Sequence, residues 1–572
     1  MDDIPDRQIL RDVYDFIIVG GGSAGSVLAN RLSEEKQWNI LVLEEGNSEI
    51  LPLNIPVIAP FIQLTPYAEM FYSEPSEHAC LGSIDGRCAL PRGRVLGGSS
   101  SINYMIYARG DAKDYDNWAA MGNKGWSWDD VYPYFLKSEK VLIKKGWVTQ
   151  KYHGHDGYLS VDTSSYKTPI ARAFVDAGRE LGYKTTDYNA GNICGFSYVQ
   201  STLENNSRMS TSRAFLRPIK NRRNLHVAKR STVTKVLIEN NRAVGVELIR
   251  NNKKIRIKTR KEVILSAGAI KSPQLLMLSG IGPKDHLQSL GIQVMNNLPV
   301  GYNLMNHPVI GNVIFTIERN ITIGEDMLYN LSNFNEYITK KEGLYSSTVG
   351  IEGLSFLDVF NPCKNGSLTN LEIQLVSSSP FRLPLLNKIF HIKPEIADMY
   401  ENKKDLHSLM MFMSVSKPKS RGRIKLKDIN PLSKPIIDIG YYRDPYDLEV
   451  IAKAIEIVKQ IANTKAFYEF KPKLFSEPIR PCAKYGHDTK DYWKCHARHL
   501  TISNYHQTST CKMGPSEDPT SVVDARLRVH GIKGLRVIDA SIMPTITSAN
   551  TNAPTIMIAE KGADMIKNDW NI

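Results

Sequence analysis

Apolar residues fall in short runs whose period changes along the chain. Phe16-Ile-Ile-Val19 is continuous and ends on glycine, which predicts a strand buried on both faces of a parallel sheet. Val27, Leu28, Ala29 and Leu32 then recur at helical spacing, and Asn39-Ile-Leu-Val-Leu43 predicts the next strand. Further on, Pro169 to Leu181 reads as a helix. Leu225–Val236 and Ala243–Ile249 read as strands, with Asn240-Asn241 as a turn. Glu262-Val-Ile-Leu-Ser-Ala-Gly268 predicts another strand of the first sheet, followed by a helix over Ser272–Leu278. Leu535-Arg-Val-Ile-Asp539 predicts a strand ending in an acid. Residues 309 to 500 alternate strand-like and helical runs without glycine motifs, and Met410-Met-Phe-Met413 reads as core packing. The Pro-rich stretch from Leu51 to Pro91 has little periodicity. It is too long for a plain connection and predicts a cover over a ligand. No apolar run reaches the roughly 18 residues of a membrane helix.

The order strand, Gly20-x-Gly22-x-x-Gly25, helix is how a dinucleotide site is built. The first glycine allows a tight turn, the second lets backbone N–H groups approach a pyrophosphate, and the third lets helix and strand pack closely. The helix N-terminus then presents its positive dipole end to the phosphates. Glu44, at the end of the second strand, stands about 20 residues on, where an acid meets a ribose hydroxyl. The same residues hold a Gly21-x-Ser23-x-Gly25 nucleophile-elbow pattern, but almost no chain precedes it to build an oxyanion hole. Gly97-Gly98-Ser99-Ser100 supplies a second cluster of close N–H groups. It reads as an anion or cofactor loop leading into a hydroxyl-capped helix, or as a simple capped turn.

With 572 residues the chain exceeds one ordinary core, so two domains or one interrupted domain are expected. The composition, 42% apolar and 23% charged, is that of a globular protein. The net charge of +13 is spread over small clusters (Arg222-Arg223, Lys253-Lys254, Lys258 to Lys261). It lacks the aromatic-interleaved stripe of a nucleic-acid binder. Cys80 with Cys88, and Cys482 with Cys495, are candidate disulfides. Free thiols are the next reading, and Cys482 and Cys495 beside His496 and His499 are a distant metal candidate, because the spacing fits no common zinc frame. Asn205, Asn320, Asn330 and Asn365 open glycosylation sequons, which together with the cysteines points to a secreted chain. The acidic first residues are not a signal peptide as written, so a signal peptide is expected to be absent or already removed.

Long motifs carry a family resemblance. The Gly20 turn, Glu44-Glu45-Gly46, Pro91–Gly110, Gly268–Gly282, Leu298–His307, Ser420–Arg423 and the segments around His506 and Asn550 resemble the glucose-methanol-choline (GMC) oxidoreductases. The wording from Tyr104 to Gly125 is most similar to the arthropod branch. The resemblance implies an α/β fold. A Rossmann-like FAD-binding domain (1–160, 216–308, 503–572) is interleaved with an α+β substrate domain containing an antiparallel sheet (161–215, 309–502). It implies FAD as cofactor, held by Gly20, Gly22, Ser23, Ala24, Gly25, Glu44 and Glu45 at the first loop. Arg94, Gly97, Gly98, Ser99, Asn103 and Met105 would hold it at the second loop. Val233, Ala267, Asp539, Ala540, Asn550, Asn552 and Pro554 complete the set. Some members attach FAD through a histidine just before the loop asparagine; Ile102 stands there, so non-covalent FAD is expected.

His506 and Asn550 match the family's catalytic positions. Alcohol oxidation needs a base near neutral pH, and an unperturbed imidazole titrates at about 6.5. His506 is therefore the expected base, with Asn550 stabilising the developing alkoxide. The resemblance implies a small-molecule alcohol donor: a small aromatic alcohol or a hydroxynitrile such as mandelonitrile, with oxygen as acceptor. The alternatives are a sugar or ecdysteroid alcohol with a quinone-like acceptor, or a hydroxynitrile lyase with non-redox FAD. No metal, nucleic-acid or membrane partner is expected. Two departures from the family, Ser509 for the usual glycine and Asn306 for the usual aspartate, read as packing differences.

Overall fold

The computed structural model describes every residue except 1, 2, 145, 362, 364–367 and 572, so the sequon at Asn365 lies outside the described residues. The apolar runs read from the sequence form the centre of a parallel sheet. Strand Val13–Val19 lies between Ile40–Leu43 and the second half of Lys253–Leu265, with Leu225–Ala228 beyond Ile40–Leu43. The strand Lys253–Leu265 changes neighbours along one edge. Its first half pairs antiparallel with Arg242–Arg250, and its end pairs parallel with Leu535–Val537. Its side chains follow suit, alternating exposed and covered over the basic half and then running buried from Val263 to Leu265. Two expected elements differ in extent. The stretch Leu225–Val236 divides into two strands because Arg230 turns in the left-handed region at φ 51°. The helix after Ala267 begins already at Gly268.

The helix Ser23–Leu32 packs on the sheet through Gly25, where a Cβ would lie 1.8 Å from the Gly20 carbonyl oxygen. Its other face meets the last helix, Asn552–Asp569. There the buried Arg31 guanidinium donates to both Glu560 carboxylate oxygens at 2.7 and 2.8 Å. This bidentate pair joins the two ends of the chain across the cofactor side.

The second sheet is antiparallel. Gly195–Tyr198, Ile351–Leu357, Leu371–Val376 and Ser408–Val415 lie side by side in that order, followed by Ile314–Thr316 and Lys473–Leu474. The three longest of these strands are buried along their whole length, and the Met410–Met413 run is core as expected. The short strand Pro308–Ile310 pairs with both Ser408–Val415 and Thr501–Ser503.

Both anticipated disulfides form, Cys80–Cys88 and Cys482–Cys495. A third, Cys194–Cys363, ties segments 169 residues apart, while Cys511 is a buried free thiol. His499 lies beside Cys482 and Cys495, whose sulfurs are joined to each other rather than arranged as metal ligands. Asn205, Asn320 and Asn330 are exposed. Among the described residues no helix is long and apolar enough to cross a membrane.

Candidate active site

Among the described residues a large cavity, about 2040 Å³ of empty space with the open solvent at its mouth included, runs between the two sheets. Its floor is the first glycine loop and its wall the second. The two cross so closely that a Cβ on Gly98 would lie 2.7 Å from the Gly22 Cα. Gly98–Ser101 forms one 3₁₀ turn preceded by Gly97 at φ 88°, and the helix expected directly after it is absent. Asn103 Oδ1 accepts from Met105 N at 3.1 Å and Met105 sits at φ 62°, which turns the chain away; the next helix starts only at Ala112.

Most of the expected cofactor residues meet at this cavity. Gly20, Gly22, Ser23, Ala24, Glu44, Glu45, Arg94, Gly98, Ser99, Asn103 and Met105 line it from the loops. Val233, Ala267, Asp539, Ala540, Asn550 and Asn552 line it from the other elements. Gly25, Gly97 and Pro554 stand behind the lining: Gly25 in the helix–strand contact, Gly97 against Ser101 and Ser212, and Pro554 buried in the first turn of the last helix. Ser23 Oγ donates to Asn552 Oδ1 at 2.8 Å rather than facing a base, which removes the nucleophile-elbow reading.

Glu44 is buried, and its carboxylate accepts from Gly21 N at 2.9 Å and Gly46 N at 2.7 Å. Burial, partly offset by these two bonds, pushes its pKa up to about 7. Glu45 is nearer the mouth, paired with Arg94 and Lys271; Lys271 also reaches Glu69 at 2.6 Å. Asp539 Oδ2 accepts from Gly268 N at 2.9 Å and Ser272 Oγ at 2.6 Å. This fixes the turn at the end of the last strand against the start of a helix. Two crossing glycine loops, a helix N-terminus and a carboxylate at the end of the second strand are the donor set that an FAD needs.

At the far end stand His506 and Asn550, with Asn550 Nδ2 3.3 Å from His506 Nε2. Strand pairing puts His506 there. Pro308 pairs with Ser503, so the residues just outside this pair, His307 on one strand and Asn504 to His506 on the other, fall side by side. His307 Nδ1 lies 2.9 Å from His506 Nδ1, and His307 Nε2 lies 3.0 Å from the Thr547 carbonyl oxygen. His506 is held well below the usual histidine range by burial first, then by neighbouring His307 and the positive Arg92. Burial and Lys417 push His307 down to about 4.

Several residues here escaped the sequence reading. Asn306 is more than a packing difference. Its Oδ1 accepts from the backbone N–H of both His506 (2.8 Å) and His307 (2.9 Å), while its Nδ2 donates to Tyr441 and Ser503. Ser509 occupies φ 74°, a conformation that suits the glycine usual in the family and strains a serine by about 1 kcal/mol. His307, Gln63, Tyr104, Tyr505 and Arg92 also belong to the site. The signal for Asn306 and His307 was their place at the end of the Leu298–His307 family motif, two polar residues directly ahead of an apolar strand.

The chain matches the GMC oxidoreductase family over residues 14–309 and again over 418–559. It is 39% identical over 563 residues to the glucose dehydrogenase [FAD, quinone] of Drosophila pseudoobscura pseudoobscura, covering 97% of this chain and 87% of that one. It is 35% identical to the ecdysone oxidase of Bombyx mori, covering 98% and 82%. Among solved structures it is similar to pyridoxine 4-oxidase from Mesorbium loti, with a TM-score of 0.81, 25% identity and coverage of 96% and 98%. The fold is shared with formate oxidase, at a TM-score of 0.84 and coverage of 98% and 99%. With both family segments matched and the glycine-lined cavity in place between them, the chain belongs to the GMC oxidoreductases, FAD-dependent enzymes that act on alcohol donors.

Proposed function

We propose that the protein oxidises a CH–OH group to a carbonyl, with His506 as the base and non-covalent FAD as the hydride acceptor. The observation that carries this reading is the His506–Asn550 pair, buried at the end of a cavity whose other end is walled by two glycine loops. When bound, FAD supplies the acceptor for the hydride that leaves the carbinol carbon. His506, neutral because it is buried, holds an imidazole nitrogen ready for the hydroxyl proton. Asn550 Nδ2, beside that nitrogen, donates to the oxygen as charge develops on it. Ile102, at the position of the covalent attachment in some members, has no group that bonds to a flavin. Residues 1–160, 216–308 and 503–572 hold the cofactor in this reading, and 161–215 with 309–502 build the donor side.

Resemblance to the arthropod branch supports a small aromatic alcohol or a hydroxynitrile such as mandelonitrile, with oxygen as acceptor. A specific feature of the cavity favours the donor of the second reading, one with several hydroxyls. Gln63 Oε1, Asn504 Nδ2 and Asn550 Oδ1 all belong to cavity-lining residues and are buried without a protein partner. One reacting hydroxyl on an apolar ring leaves at least one of these atoms unmatched, whereas a hydroxylated donor satisfies them. Three disulfides and exposed sequons support secretion. The test is an absorbance spectrum of the purified protein before and after anaerobic addition of a panel of sugar, steroid and aryl alcohols and mandelonitrile, with reoxidation then followed with oxygen or a quinone. Bleaching of a flavin band by one class names the donor. A colourless protein ends the proposal, and turnover of a cyanohydrin without bleaching replaces it with a lyase.

A further inference from the structure

We propose that His307 is a positioning residue that sets the tautomer of His506, through a hydrogen-bonded row running from the Thr547 carbonyl through both imidazoles to the cavity. The inference rests on His506 being the base. Two backbone carbonyls, Thr547 and Ser416, accept from the His307 ring, and the distances to Thr547 and His506 link the proton positions of the two imidazoles. The Thr547 carbonyl only accepts, so His307 Nε2, 3.0 Å away, carries the proton. A neutral imidazole has one N–H, so His307 Nδ1 is then an acceptor. Facing it at 2.9 Å, His506 Nδ1 must donate. The remaining nitrogen, His506 Nε2, is left with a bare lone pair beside Asn550 Nδ2, which is what proton abstraction requires.

The row has a fixed anchor. Thr547 sits between Ile546, whose carbonyl accepts from Lys417 Nζ at 2.7 Å, and Ser548, whose N and Oγ both donate to Asp114 Oδ2 at 2.7 and 2.6 Å. The same loop thus sets the outer end of the row through Thr547 and flanks its inner end through Asn550. The imidazole planes stand at 87°, so the pair is held edge to edge by the hydrogen bond and not by stacking. A proton taken up at His506 Nε2 has no onward path, because the row ends on a carbonyl; it leaves by the cavity.

The test uses the FAD-loaded protein labelled with ¹⁵N-histidine, with two variants. In the wild type, His506 should show a protonated-type shift at Nδ1 and an unprotonated-type shift at Nε2. His307→Leu removes the acceptor and should slow anaerobic flavin reduction roughly 10–10²-fold, the scale of losing the outer partner of an oriented imidazole. The Nε2 signal should then become mixed. His307→Asn restores an acceptor oxygen near the Nδ1 position and should recover most of that loss. A protonated Nε2 in the wild type, or an Asn variant no faster than the Leu variant, overturns the inference. If the Leu variant does not fold with FAD, the wild-type tautomer alone decides. An unchanged rate in His506→Ala would instead end the parent reading while leaving the tautomer result standing.

Discussion

Two buried histidines, one charged and one neutral, show how this chain separates chemistry from architecture. His153 lies in the N-terminal half with Nδ1 2.9 Å from Glu139 and Nε2 2.9 Å from Asp187. Arg109, also fully buried, donates to Glu139 at 2.6 Å. Burial alone would lower the pKa of His153. The hydrogen bonds to Asp187 and Glu139 outweigh it and raise the pKa to about 9. His506 is also buried but faces an imidazole and an amide, with Arg92 nearby and no carboxylate in contact, so it stays neutral. The partner set, not burial, decides whether a buried imidazole is an ion that holds segments together or a base with a free lone pair.

That contrast can be tested by exchanging or removing partners. The largest effect is expected at the proposed base: His506→Ala should slow anaerobic flavin reduction roughly 10²–10⁴-fold with FAD still bound. An unchanged rate in stopped-flow reduction would sink the assignment. Removing the ionic histidine should do the reverse. His153→Leu leaves Glu139 and Asp187 facing an apolar group and should cost about 3–5 kcal/mol in denaturant unfolding of the holoenzyme. The flavin of the folded fraction should still be reduced within a few-fold of the wild-type rate. A variant as stable as wild type would mean that the cluster is not a structural ion network.

Asn550→Asp makes the cavity resemble the His153 site by placing a carboxylate beside His506 Nε2. The pKa of His506 should rise by roughly 1–3 units. Since the base works only when neutral, the acid limb of the reduction rate should move to higher pH by that amount. A limb that does not move would place the base elsewhere. The smallest effect is the pH dependence of stability. Between about 6.5 and about 4, an unfolded chain binds a proton at His307 that the folded chain refuses, so stability falls as the pH drops through this window. At His153 the folded chain keeps a proton that the unfolded chain releases. Stability therefore falls as the pH rises from about 6.5 to about 9. Each group contributes a slope of about 1.4 kcal/mol per pH unit. Unfolding measured from pH 4 to 9 should peak between the two windows, and the alkaline leg should vanish in His153→Leu.

Much of the cofactor side is legible in the sequence. Its determinants are local: a continuous apolar strand, glycines at fixed spacing and an acid at the end of the next strand, all within a few turns of chain. The same holds for Cys80–Cys88 and Cys482–Cys495, which close short loops. The Gly97-Gly98-Ser99-Ser100 motif, expected as an anion or cofactor loop leading into a helix, borders the cavity, and no helix follows it directly. Its outcome depends on Met105 adopting φ 62° where it meets the body of the protein.

By itself, then, the order of residues determined the nucleotide-binding sheet, its glycine loops and the identity of the two polar side chains, His506 and Asn550. Tertiary structure alone decided what surrounds them. The pairing of Pro308 with Ser503 brings His307 to His506 across 199 residues, and a separate loop adds Thr547 and Asn550. A similar long-range closure joins Cys194 to Cys363. The physical reason is that backbone propensity and hydrophobic period act over a few residues, whereas the charge state of an imidazole depends on whichever groups the finished packing sets within hydrogen-bond reach.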